Sequence, residues 1–254
     1  MLEVMDELYD ARFSNYEKTA FAKQLVFSFS NLKFGPEVGV SRKKKADADV
    51  IEIWLKQVKE MADNVAFFSK RKNASSIVHL ADSRDIGVTL QPNSIDAIIT
   101  SPPYPNEKDY SRTTRLESVL LGFMTSKKDL RAHKERLLRS NTRNIYVNDT
   151  DYKWIANNGR ILELADSIER RRIELEKDSG FEKLYHKVVT SYFGGMARHL
   201  EELKPKLRPG AKLAYVVGDQ ASYFRILIQT GEILAEVARD MGYKVMNIDL
   251  FRTR

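Results

Sequence analysis

The chain of 254 residues is 43% hydrophobic, enough for one large domain or one and a half ordinary ones with a real core. Lys and Arg outnumber Asp and Glu by 42 to 35, and the resulting net charge of +7 favours an anionic partner without deciding it. Cysteine is absent, which excludes disulfides, thiolate metal sites and a cysteine nucleophile; no apolar run approaches membrane-spanning length and nothing resembles a signal peptide, so the cytoplasm is the expected compartment.

From residue 1 to about 34 the chain reads as helical segments, with Leu8, Phe13, Phe21, Leu25 and Phe29 as a loose apolar stripe, broken at Phe34-Gly35-Pro36. A polar loop over 39–49 follows. Asp49 is placed to cap a helix running to about Lys70, since Ile51, Trp54, Leu55, Val58, Met61, Ala62, Val65 and Phe68 keep the i, i+3, i+4 spacing. A short strand is expected over 76–80, ending at Ala81-Asp82-Ser83, and a second over 95–100 after a turn-rich connection at 87–94. Two close strands, each ending in a polar residue, suggest an α/β sheet that binds ligands at its C-terminal edge.

Residues 104 to about 206 read as a long, charged helical insertion. Leu116, Val119, Leu120 and Phe123 would share one helix face, a second helix would run from about Asp151 into Arg170-Arg171-Arg172, and a third from Phe181 to Leu203. Most of its charges are expected on solvated faces. A turn over 205–210 leads into a strand at 212–217 and then Gly218-Asp219-Gln220. A helix over 226–241 is stopped by Gly242, and a last strand is expected over 243–251. The domain reading is thus 1–70 helical, 71–110 with 205–254 as α/β core, and 111–204 as a helical insertion whose basic residues could meet an anionic partner. His79, His133, His186 and His199 share no ligand spacing, so no metal site is expected. Tyr146, Trp154 and Tyr192 could contact nucleic acid, although packing is the simpler use of Trp154.

The most informative stretch is Ser101-Pro102-Pro103-Tyr104, into which the apolar run at 95–100 empties. Two successive prolines lock φ and remove two backbone donors, leaving a rigid turn whose carbonyls point outward. A hydroxyl, a carbonyl and an aromatic ring suit a flat, amine-bearing ring better than a phosphate, which would want glycines and free N–H groups. The run resembles the catalytic motif of the amino-methyltransferases, enzymes that use S-adenosylmethionine to methylate exocyclic amines of DNA bases. Asp96 within the strand, and Asn106, Asp109 and Tyr110 after it, add to the resemblance. The resemblance implies a three-layer, Rossmann-like α/β core. It also implies that Ser101 and the Pro102 carbonyl would accept the two amine hydrogens, while Tyr104 stacks on a base flipped from the duplex. Pro103 completes the turn. The Ser-first form is associated more with cytosine N4, the Asp- or Asn-first form with adenine N6, and the absence of cysteine argues against methylation at cytosine carbon-5.

Asp82, with Ser83 beside it, matches by order the family's acidic position near the cofactor adenine; a loop-capping role for Asp82 has equal weight. Asn106, Arg112 and Arg115 are candidates for nucleic-acid contact, and Asp219 reads as a structural cap. The family's Phe-x-Gly-x-Gly loop, which holds the cofactor's methionine end, is not found. Phe34-Gly35 runs into Pro36, and Phe193-Gly194-Gly195 lies in a helical pattern, so both read as turn or packing glycines. The resemblance therefore implies a double-stranded DNA substrate and a second subunit carrying the glycine loop, in a heterodimer with an incomplete sheet on this chain. The alternatives are an adenine-N6 enzyme, an RNA base methyltransferase, and a non-catalytic DNA-binding subunit.

Overall fold

A computed structural model of the chain describes residues 1–34, 38–41, 47–69, 74–106 and 108–251; the expected break at Gly35-Pro36 lies outside them. The chain divides into two compact units, Met1–Val78 with Tyr110–Ala132, and His79–Asp109 with His133–Arg254. Each is described by itself.

In the first unit, α1 (Leu2–Glu7) precedes α2 (Ser14–Gln24), which widens into a π-helical turn at Leu25–Phe29. The helical reading to residue 34 is corrected at its end: β1 (Leu32–Phe34) pairs antiparallel with β2 (Val38–Val40). The long amphipathic helix is found as α3 (Val50–Phe68), with Asp49 capping it by accepting from the Glu52 amide at 2.9 Å. It packs on α2 through a Gln24–Gln57 hydrogen bond of 2.7 Å and a Trp54 indole that donates to the Glu17 carbonyl at 3.1 Å. Met5, Phe21 and Leu25 form the small core, against which Trp54 and Leu116 rest. The expected helix face at Leu116–Phe123 is shorter than its pattern. α4 (Tyr110–Thr113) and α5 (Arg115–Leu120) are single turns, and of that face Leu116 packs while Val119, Leu120 and Phe123 are exposed. α6 (Lys127–Glu135) runs across the unit boundary.

The second unit is organised on α8 (Tyr185–Leu203), whose Val188, Val189, Tyr192, Phe193, Met196 and Ala197 are essentially inaccessible to solvent. α7 (Gly159–Glu174) and α9 (Thr230–Asp240) pack beside it. The helices expected to begin at Asp151 and Ile226 start later, because Asp151–Ile155 is a 3₁₀ turn and Gln220 and Ile228 are bridged in antiparallel fashion. The 3₁₀ turn lies directly on α8: a methyl group on Gly194 would sit 2.0 Å from the Asp151 carbonyl oxygen, and one on Gly195 would sit 2.6 Å from Leu138. Both glycines are packing glycines.

β3 (Ile95–Thr100) pairs in parallel with β4 (Leu207–Tyr215), which makes the unit a mixed α/β structure with a two-stranded parallel sheet. The expected turn at 205–210 lies partly inside β4, where Pro209 and left-handed Gly210 accommodate a register shift. Tyr215 and Val217 pack against the helical core, whereas Ala97, Ile99, Ala214 and Val216 are exposed, Ile99 to 86%. The strands expected at 76–80 and 243–251 do not form. Leu80 is 95% exposed and Leu250 80%, and neither segment has a pairing partner among the described residues. A strand's backbone groups are satisfied by a neighbour, so an apolar run with strand composition stays irregular without one.

Replacing Gly194 with Ala should destabilise the second unit by about 3 kcal/mol in urea unfolding, because the clash is with backbone. Gly159→Ala, which meets nothing within 4 Å, should be neutral or gain about 0.5 kcal/mol.

Candidate active site

The parallel pairing brings two chain segments out of the sheet side by side. Thr100 pairs with Tyr215, the Val216 amide donates to the Thr100 carbonyl at 2.9 Å, and the Ser101 hydroxyl donates to the Val216 carbonyl at 3.2 Å. Ser101 is exposed, Pro102, Pro103 and Tyr104 are half-buried, and Pro105 is buried, so the loop leaves the strand with its hydroxyl at the surface and its ring toward the core. Because the Ser101 proton is directed at Val216, the oxygen presents lone pairs outward as an acceptor. The Tyr104 ring lies against Gly218, where a methyl group would come within 3.5 to 3.8 Å of three ring carbons. Asn106 is exposed and holds a left-handed backbone, φ 67°, that asparagine tolerates. Arg112, half-buried in α4, and Arg115, exposed at the start of α5, belong to the first unit.

Asp82 and Ser83 are engaged internally. Asp82 accepts from the Arg84 amide at 2.9 Å and from its guanidinium at 3.1 and 2.7 Å. Arg84 also reaches Asp151 at 2.5 Å and the Glu135 carbonyl at 3.0 Å, and Arg198 stands 3.5 Å from the other Asp151 oxygen. Burial raises the Asp82 carboxyl, but the hydrogen bonds and charge of Arg84 outweigh it and hold the group below its ordinary range. The same pairing raises Arg84 despite its burial. Sequence reasoning missed this cluster, because nothing in the spacing of Arg84, Asp151 and Arg198 signals that they meet.

Ser83 joins the sheet through a histidine. His199 Nδ1 lies 2.7 Å from the Ser83 carbonyl and Nε2 lies 2.7 Å from the Tyr215 hydroxyl. A carbonyl only accepts, so Nδ1 carries the proton and neutral Nε2 accepts from Tyr215. Burial, offset in part by the Ser83 bond and the Asp82 charge, pushes His199 below its ordinary value, and burial pushes Tyr215 upward. Among the described residues no cluster of His, Asp and Glu could hold a metal ion.

The acid proposed for the cofactor adenine is bonded to Arg84, and Gly194 and Gly195 are filled by the Asp151 turn.

A lowered His199 pKa means the unfolded chain binds more protons below pH 6.5, so stability should fall as pH drops from 6.5 through the folded value. Burial of His186 acts in the same direction. Urea unfolding between about pH 7.5 and 5 should show a clearly shallower pH dependence for His199→Gln than for the parent; an unchanged slope would contradict this.

No family model and no solved structure matches the chain. It is 26% identical over 243 residues to the type II methyltransferases M.AvaI of Nostoc sp. (strain PCC 7120) and of Anabaena variabilis, an overlap that covers 94% of this chain and 48% of theirs. It is 27% identical over 176 residues to the type II methyltransferase M.BsoBI of Geobacillus stearothermophilus, which covers 65% of this chain and 34% of that protein. The chain thus spans about half the length or less of the curated relatives it matches, and what it is similar to in them is part of a type II methyltransferase.

Proposed function

We propose that this chain carries the amine-orienting half of a DNA amino-methyltransferase of the restriction-modification type, acting on cytosine N4 in preference to adenine N6. The observation that carries the reading is Ser101 at the carboxyl end of β3, with its proton directed to Val216 and its lone pairs outward. An exocyclic amine is a poor nucleophile because its lone pair is delocalised into the ring. Acceptors at Ser101 and the Pro102 carbonyl would draw its two hydrogens out of the ring plane, localise the lone pair on nitrogen and aim it at the methyl donor. Tyr104, backed by Gly218, gives the flipped base a ring to stack on.

S-adenosylmethionine, the methyl donor this reading requires, would be held mainly by a second polypeptide that supplies the Phe-x-Gly-x-Gly loop and completes a three-layer core. Two observations support a missing layer. One face of the β3–β4 sheet exposes Ile99 and Val216, whereas parallel sheets are ordinarily covered on both faces. The relatives are also at least twice the length of the matched region. In this reading 71–110 with 205–254 form the α/β part, and the insertion 111–204 with Asn106, Arg112 and Arg115 approaches double-stranded DNA. No described helix is long and apolar enough to cross a membrane.

With the second polypeptide present, Ser101→Ala and Tyr104→Ala should each lower transfer of labelled methyl to DNA by about 10²-fold or more while the circular dichroism spectrum is kept. Mass spectrometry of the digested product should show N4-methylcytosine. Full activity of both variants, or label reaching RNA alone, would overturn the assignment. Isothermal titration of S-adenosylmethionine into this chain alone should show weak binding or none; tight binding would overturn the divided site.

A further inference from the structure

The loop between Gly218 and Gln229 faces the Tyr104 loop at two points. The Tyr104 ring lies on Gly218, and the buried Tyr223 hydroxyl approaches the Asn106 backbone without a well-formed hydrogen bond. Its base is closed by the Gln220–Ile228 bridge, with bonds of 3.1 and 2.6 Å. Within it, Phe224 and Arg225 are both left-handed, φ 54° and 63°, although neither is glycine, asparagine or aspartate. Two adjacent side-chain-bearing residues hold that conformation only where their surroundings impose it, and such strain gathers at functional sites. Here the surroundings are aromatic: Tyr223 stacks on Tyr185 with ring centroids 4.4 Å apart, and Phe224 packs on the same ring at 5.2 Å.

The consequence falls on Arg225. Its backbone is pinned by the two preceding rings, it is exposed, and its guanidinium makes no hydrogen bond or ion pair among the described residues. Arg84, Arg139, Arg160 and Arg172 of the same unit are each paired with carboxylates; Arg136 and Arg239 are exposed like Arg225 but have ordinary backbones and lie outside the 218–229 loop. An unneutralised guanidinium on a turn anchored by Tyr223 and Phe224, in the loop that begins under Tyr104 at Gly218, on a chain of net charge +7, suits a phosphate.

We propose that Arg225 contacts a phosphate of the DNA backbone beside the base held by Tyr104, with the Tyr223-Phe224-Arg225 turn setting the distance between them. This rests on the DNA-methyltransferase reading above.

The test is fluorescence anisotropy of a fluorescein-labelled DNA duplex titrated with the full chain, between about 50 and 200 mM salt, since phosphate contacts are sequence-independent and salt-sensitive. Arg225→Gln should weaken binding and reduce the slope of log affinity against log salt by about 0.9, the share of one phosphate. Arg225→Lys should keep most of that slope. Arg225→Gly, which relieves the left-handed strain, should raise the melting temperature and still lose the slope, a combination that a merely structural arginine would not produce. An unchanged slope in Arg225→Gln, or an equal loss in Arg225→Lys, would overturn the contact alone. Failure of the parent chain to bind duplex DNA, or binding confined to an RNA duplex, would overturn the DNA reading together with it.

Discussion

The parallel ladder between β3 and β4 is the constraint on which the candidate site of the second unit depends. It sets residues far apart in sequence into register, Thr100 against Tyr215, so the segments that follow leave the sheet together. The Ser101–Val216 hydrogen bond, the seat of Tyr104 on Gly218 and the reach of His199 to Tyr215 all follow from that register. A shift of β4 by one residue would exchange its faces, turning Tyr215 and Val217 out of the core. The helical core therefore selects the register as much as the hydrogen bonds do.

A second constraint is the buried charge cluster around Arg84. Its side chain and that of Asp151 are almost wholly enclosed, at 5% and 4% exposure. Charges so enclosed are tolerable only where each is paired and hydrogen-bonded, and here Asp82, Asp151 and the Glu135 carbonyl together meet Arg84. The cluster ties the 82–85 loop, the 3₁₀ turn at Asp151 and α8 into one geometry. Gly194 and Gly195 are its steric counterpart, since only a helix surface without side chains admits that turn so closely. Through Ser83 and His199 the same geometry is continued to Tyr215 at the end of β4.

The division of the fold into legible and illegible parts follows the range of the interactions. α3 could be read because its cap, its spacing and its length are local properties, and the first half of the candidate site could be read because Pro102 and Pro103 restrict the backbone by themselves. The segments at 76–80 and 243–251 have strand composition and no strand, since composition cannot supply the neighbour that strand hydrogen bonds need. Asp82 was open between two readings for the same reason: its bonding to Arg84 is short in sequence, but the burial that makes the pair matter comes from Asp151 and α8. Arg225 had no signal at all, because a left-handed arginine is created by the aromatic packing around it.

The amino-acid sequence alone therefore determined the long helices, the rigid Ser-Pro-Pro-Tyr turn and the absence of thiol chemistry, all of which rest on residues acting over a few positions. Tertiary structure alone decided which strands pair, where the Ser101 proton points, what Tyr104 rests on, how Arg84 is neutralised and that Arg225 is not. Each of these depends on groups that meet only after the chain has folded, and no local pattern records which groups those will be.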